Sequence, residues 1–355
     1  MRNATNDSAN NKQNHKMKKI ITFLLTIILV VSTNRTFAQT KDSSQIYKDA
    51  FSEQLQMLKG EKTISFKRAV FLTENAFNNG KLDYTTFCKE ISTTGQQLKT
   101  LIKQRGLEKY KTAGNWAVFS FMMDSLPINN FKPCTYDFTD FMGDKDWTKM
   151  FVTKLMKTRS GNCHSLPTYY KILSEEIGAK AFLALAPNHL YIKHIDEKGQ
   201  WTNVELTNGG FPRDQWIIKE MAIPIEAIKS EAYMKPLTDK ESVALCMFDL
   251  ANAYQFQFGY DDFVLNTANT ALKYFPKCLP LIMTTSNCYR TFGITEQAKQ
   301  NPNKEISKKY YLAYKEAQVK MNALGYKEET PEHYEEWVKN VEKEKQKGEV
   351  TTNNK

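Results

Sequence analysis

Three residues whose types and order suit nucleophilic catalysis fall within 43 positions: Cys163, His189 and Glu205. A thiolate is a strong nucleophile and a thiol a weak one, so a reactive cysteine needs a base or a positive field. Ser160-Gly161-Asn162-Cys163 opens an amphipathic helical pattern, and a helix start presents unpaired N–H groups and partial positive charge. Gly161 lets the chain approach tightly just before the sulfur. His189 begins a β-type run, Asn188-His189-Leu190-Tyr191, from which its ring can face the helix start. On the next run, Val204-Glu205-Leu206-Thr207-Asn208, either Glu205 or Asn208 could accept the imidazole N–H and fix its tautomer. Register decides whether Glu205 reaches: a hairpin loop of three or five residues is expected to set it directly opposite His189, and a four-residue loop turns it to the other face.

Taken singly, each residue has a plainer reading. A cysteine at a helix start is usually a packed thiol, and a histidine opening a strand is usually structural. The ordered set of helix-opening Cys, strand His and strand acid is what favours a Cys–His site. His164 adjoins Cys163 but points elsewhere on the helix, and His194 lies five positions from His189, on the opposite face of the strand. Candidate oxyanion donors are the Cys163 N–H, with Asn162 or Trp116 as alternatives. The other cysteines, Cys88, Cys134, Cys246, Cys278 and Cys288, show neither a CxxC nor a zinc spacing, and Cys246 and Cys288 read as buried thiols. No metal cluster, phosphate-binding loop or cofactor signature is present in the sequence.

The elements that must position these residues follow from periodicity. From Gln45 to about Thr112 the pattern is helical: Phe66, Ala69, Val70, Thr73 and Phe77 recur at three and four, with Asn79-Gly80 closing that helix. Two more helices are predicted, Tyr84 to Thr93 and Gln96 to Gly106. An aromatic and acidic loop over 132–138 leads to a predicted helix from Trp147 to Thr158. The helix after Cys163 turns Leu166, Tyr169, Tyr170, Leu173 and Ile177 inward, and Gly178 ends it. Strands are predicted over Ala181–Ala186, His189–Ile195 and Trp201–Leu206, with a charged turn at Asp196–Gly199. From about Pro236 the chain is helical again. Leu250, Ala251, Tyr254, Ala268, Ala271 and Pro276 fall close to tetratricopeptide spacing. The fold class is therefore α+β, a helix-plus-antiparallel-sheet core flanked by N-terminal helices and a C-terminal helical-repeat region.

Gly161-Asn162-Cys163, His189-Leu190-Tyr191 and Val204-Glu205-Leu206-Thr207 together resemble the transglutaminase-like superfamily. Tyr136-Asp137-Phe138, Thr158-Arg159, Ser165-Leu166 with Tyr169-Tyr170, and Asn208-Gly209-Gly210 look closer to its branch that often carries tetratricopeptide-like helices. The resemblance implies a papain/transglutaminase-like core over 113–235, between helices over 45–112 and repeats over 236–340. It implies Cys163 as nucleophile, His189 as general base and acid, and Glu205 as the orienting acid where Asp is usual. The implied chemistry is amide hydrolysis or acyl transfer on a protein or peptide, with no cofactor. Many members of that branch lack the Cys, so a catalytically inactive scaffold, binding a partner through the C-terminal helices, is the alternative. Polysaccharide binding by the aromatic 130–147 loop is a weaker third.

Lys16, Lys18 and Lys19 precede an apolar run from Ile20 to Val31, and Thr36-Phe37-Ala38 follows. That is an export signal with cleavage expected after Ala38, too short to span a bilayer comfortably, and Met17 is a plausible alternative start. A periplasmic or secreted location follows, with membrane contact only before cleavage. Residues 1–38 carry six Lys/Arg and one Asp, so the net charge of +10 falls to +5 on their removal, too weak and too mixed to argue for nucleic acid. The end, 341–355, is charged and reads as a disordered tail.

Overall fold

The computed structural model describes residues 44–327. The predicted export signal and terminal tail lie outside them, as do the last residues of the predicted repeat region. The architecture is α+β, mostly helical with a small sheet. No helix among the described residues is long and apolar enough to cross a membrane.

A helix over 44–59, α1, is followed by α2 (Phe66–Phe77), α3 (Tyr84–Gln104) and α4 (Ala113–Met123). Ser65 caps α2 by accepting the Arg68 N–H, and the helix buries Phe66, Ala69, Val70 and Thr73, the predicted stripe. In place of two predicted helices the chain runs unbroken through 84–104. Gly95 is buried against α6 (Ser165–Ile177), where a β-carbon would lie 2.8 Å from Glu176 Cγ, so the glycine marks a helix crossing and not a helix end.

The predicted helix from Trp147 to Thr158 is split. A 3-10 turn, Trp147–Met150, stops at Phe151, and α5 starts afresh at Val152 and ends at Thr158. The cause lies far away in sequence: Glu74 of α2 places its carboxylate on the Val152 and Thr153 N–H groups, at 2.7 and 2.9 Å, and so caps α5 from outside.

Two short strands, β1 (Thr135–Tyr136) and β2 (Ser160–Gly161), pair in parallel. The main sheet is antiparallel, β3 (Phe182–Ala186), β4 (His189–Ile195) and β5 (Trp201–Val204) in that order. α6 packs on it through Leu166, Tyr170 and Leu173, all nearly solvent-free. After α7 (Asp214–Glu220) and α8 (Ile225–Lys229), the Met234 and Leu237 N–H groups bond to Leu185 and Leu183 carbonyls along the outer edge of β3.

α9 (Asp239–Phe258), α10 (Asp262–Leu272), α11 (Leu279–Gln297) and α12 (Lys304–Ala323) then form two successive helical hairpins. Thr238 and Glu241 make a reciprocal capping box on α9, Asp261 caps α10, and Asn303 caps α12. Leu250, Ala251, Ala268 and Ala271 are fully buried between helices. α9 also packs on α2, with the Thr73 hydroxyl donating to the Cys246 carbonyl at 3.2 Å. The N-terminal and C-terminal helices therefore share one interface, at the back of the sulfur-bearing helix.

Candidate functional site

The chain is bent sharply at Gly161, the second residue of β2. A β-carbon there would sit 2.7 Å from Ser165 Oγ and 3.0 Å from Leu155 Cδ1, so only glycine fits. Asn162, fully buried, then caps α6: its Oδ1 accepts the His164 and Ser165 N–H groups at 3.0 and 2.9 Å. Cys163 is thereby the first residue of the helical turn. Its N–H is one of the orphan donors of a helix start and has no acceptor among the described residues. The side chain is half-buried, and the thiol points to the Asn188 carbonyl at 3.8 Å.

Asn162 cannot serve as an oxyanion donor. Its amide nitrogen donates to the Phe141 carbonyl at 2.9 Å and contacts Met150 Sδ at 3.1 Å, so the whole side chain is spent on holding the turn. Trp116 stands on α4 with its ring exposed. Of the three donors considered from the sequence, the Cys163 N–H keeps the right position.

His189 opens β4, and its Nε2 lies 2.7 Å from Glu205 Oε2. Cys163 also acts on the ring and helps to keep it protonated. Glu205 is not directly opposite His189, as the loop-length argument expected. Five residues do separate Ile195 from its partner Trp201, but the register sets Ile192 against Val204, so one further step would oppose Glu205 to Tyr191. Glu205 lies diagonally from His189 on the same face, a separation of roughly 7–8 Å for such pairs. The longer glutamate side chain covers it. Beyond Val204 the chain doubles back: Glu205 and Gly210 exchange two backbone hydrogen bonds of 2.9 Å, and Thr207 donates its N–H and hydroxyl to Glu205 Oε1. Both carboxylate oxygens are thus fixed. Of the two candidates for the third position, the ring nitrogen goes to Glu205 and not to Asn208.

The electrostatics match the geometry. Burial alone would push the His189 imidazole down, yet the Glu205 charge and the hydrogen bonds to Cys163 and Glu205 raise it to about 10. Burial would likewise raise the Glu205 carboxyl, but the His189 charge and the bonds from His189 and Thr207 hold it below the usual carboxylate range. These shifts favour an imidazolium on a carboxylate, with Cys163 acting on the same ring.

Sequence reasoning missed the chemical role of Tyr136. Its strand pairs Tyr136 with Gly161, two residues before the sulfur, and Cys163 acts on its phenol. Burial, then the neighbouring Cys163 and Glu205, push the phenol well above its ordinary range, so it remains a donor. Asp137, next along, anchors the loop: Lys149 and Lys154 reach its Oδ2 at 2.8 and 2.7 Å. A parallel two-residue bridge between distant segments leaves no periodic signal, so Tyr136-Asp137-Phe138 read as part of an aromatic loop and of the family resemblance, with no role assigned at the sulfur.

His164 does turn away from the sulfur, into a small cleft between α2, α6 and α9, and His194 is buried on the opposite face of β4 from His189. The other cysteines carry no partner thiol; Cys246, Cys278 and Cys288 are buried helical packing. Among the described residues no group of His, Cys, Asp and Glu has the arrangement of a metal site. No protein family, curated protein or solved structure compared with the chain matches it.

Proposed function

We propose that the chain is a transglutaminase-like cysteine hydrolase or acyltransferase acting on amide bonds of a protein or peptide. The observation that carries this reading is the His189–Glu205 pair, with Nε2 to Oε2 at 2.7 Å, on a ring that Cys163 also acts on. An imidazolium against the sulfur favours the thiolate. That thiolate attacks the amide carbonyl carbon, forming a C–S bond as the carbonyl electron pair moves to oxygen. The Cys163 N–H and the Tyr136 hydroxyl supply hydrogen bonds to the oxyanion. Collapse breaks the C–N bond, and His189 gives its proton to the leaving amine. Neutral His189 then takes a proton from water, or from an acceptor amine, as either attacks the thioester, and the sulfur leaves as thiolate.

An open groove bounded by Asn208, Phe211, Arg213 and Trp216 adjoins the Glu205–Gly210 turn. Phe211 and Trp216 are 56% and 41% exposed, and the lining of this groove does not include Cys163, His189 or Glu205. The half-buried sulfur fits the same reading, because a thiol sealed under aromatic rings would serve only packing. The path predicted by the export signal places the substrate in the periplasm or outside the cell. The test is labelling with a thiol-reactive amide probe. Wild type should be modified at Cys163 and Cys163→Ala left unlabelled; equal labelling of the two would remove the nucleophile from the account.

A further inference from the structure

The mechanism above leaves the histidine beside the nucleophile unused. His164 follows the nucleophile directly, and both of its ring nitrogens face acceptors: Nδ1 lies 3.1 Å from the Met150 carbonyl oxygen and Nε2 lies 3.0 Å from Asp249 Oδ1. A neutral imidazole has one N–H and could satisfy only one of these. Two acceptors with no donor between them define a ring that carries both protons and a positive charge. Its side chain is 21% exposed, and that of Asp249 is 18% exposed. The charged groups around it come from every packed element: Asp249 from α9, Glu74 from α2, and Cys163 from its own turn. Glu74 is not a firm negative charge there, since burial outweighs its bonds from Thr153 and Val152 and raises it to about 7.

We propose that His164 is a fixed cation behind the nucleophile, and that the C-terminal helical region, through Asp249, is the element that keeps it charged. The inference rests on the Cys163–His189 reading, for it assigns His164 the task of steadying the same thiolate. The His164 charge acts on Cys163, its chain neighbour, and Asp249 meets the ring at Nε2. His164 is a positioning residue: it touches no reacting atom and moves no proton. One consequence is that the helical hairpins are not an appended module. Whatever displaces α9 from α6 removes the counter-charge of His164 and weakens the nucleophile.

The experiment follows iodoacetamide labelling of Cys163 across pH in the full chain, read by peptide mass. His164→Gln should label roughly fivefold more slowly at pH 6.5 and match wild type near pH 10, where the wild-type His164 has lost its charge. His164→Arg, which keeps the charge, should stay close to wild type at both. Superimposable profiles for wild type and His164→Gln would overturn the proposal. Displacement of the His189→Ala profile in that same set would show that the Cys–His reading survives its loss. If the His189→Ala profile also coincides with wild type, the Cys–His reading itself has failed. The role of Asp249 is read separately by nitrogen NMR: both ring nitrogens of His164 should be protonated at pH 8 in wild type and one should be bare in Asp249→Asn. A neutral His164 ring at pH 8 in wild type would overturn the proposal without any variant needing to fold.

Discussion

A glutamate at the third position of the site is a matter of reach. Diagonal placement across β4 and the segment after β5 sets the backbone of residue 205 too far from His189 for a short acid, and the extra methylene brings Oε2 to 2.7 Å of Nε2. Glu205→Asp should therefore lower turnover by about tenfold by loosening the imidazole, and Glu205→Gln by about 100-fold by removing the charge that holds its protons, each measured as kcat/KM. An aspartate variant as active as wild type would contradict the diagonal geometry. Cys163, His189 and Glu205 were legible as candidates because nucleophile, base and acid are rare types in that order. Tyr136 was not. Its approach to the sulfur depends on a parallel bridge across 25 residues of chain, and no local pattern records which strand a two-residue segment joins.

Among the elements, the bend from β2 into α6 sets the position of the sulfur, and Gly161 is its tightest point. Gly161→Ala would force a methyl group within 2.7 Å of Ser165 Oγ, the same oxygen that accepts the Asn162 N–H at 3.0 Å. Overpacking of this kind costs about 1–3 kcal/mol, and the urea midpoint should fall accordingly while labelling of Cys163 slows. Unchanged stability would show that the turn can give way. Some elements were readable from periodicity: α2, α6 and the three strands of the sheet fall within a few residues of their predicted spans, whereas α4, α7 and α8 were not predicted. Helix ends were less so. Two helices are predicted where one runs unbroken past Gly95, which faces a neighbouring helix, and the fresh start at Val152 is made by Glu74, 78 positions earlier. A cap supplied from another helix is invisible to any window along the sequence.

For the molecule as a whole, the buried imidazolium couples folding to alkaline pH. His164 is raised from its ordinary value to about 9: burial opposes this, and the charge and hydrogen bond of Asp249 with the Met150 carbonyl outweigh it. A group raised on folding contributes stability that is fully present below the unfolded value, near pH 6.5, and is lost as pH rises through about 9. His164 should therefore contribute a drop on the order of 2–3 kcal/mol in unfolding free energy between pH 6.5 and 9.5; His189, raised to about 10, adds to the fall, and His164→Gln should make the slope shallower by the His164 share. Equal slopes would place the charge elsewhere. That interface also explains how α2, α6 and α9, distant in sequence, form one support behind the nucleophile. Its members carry apolar stripes the sequence displays, but which stripe meets which is settled only by the sheet and the turns between them.

The central claim is that the Cys163 sulfur is served by His189, and acyl transfer from an activated ester tests it most directly. Rapid mixing of the full chain with p-nitrophenyl acetate should give a burst of nitrophenolate with the acetyl group on Cys163, at least about 100-fold faster in wild type than in His189→Ala. Acylation spread over surface lysines, or proceeding at the same rate without the imidazole, would contradict the account.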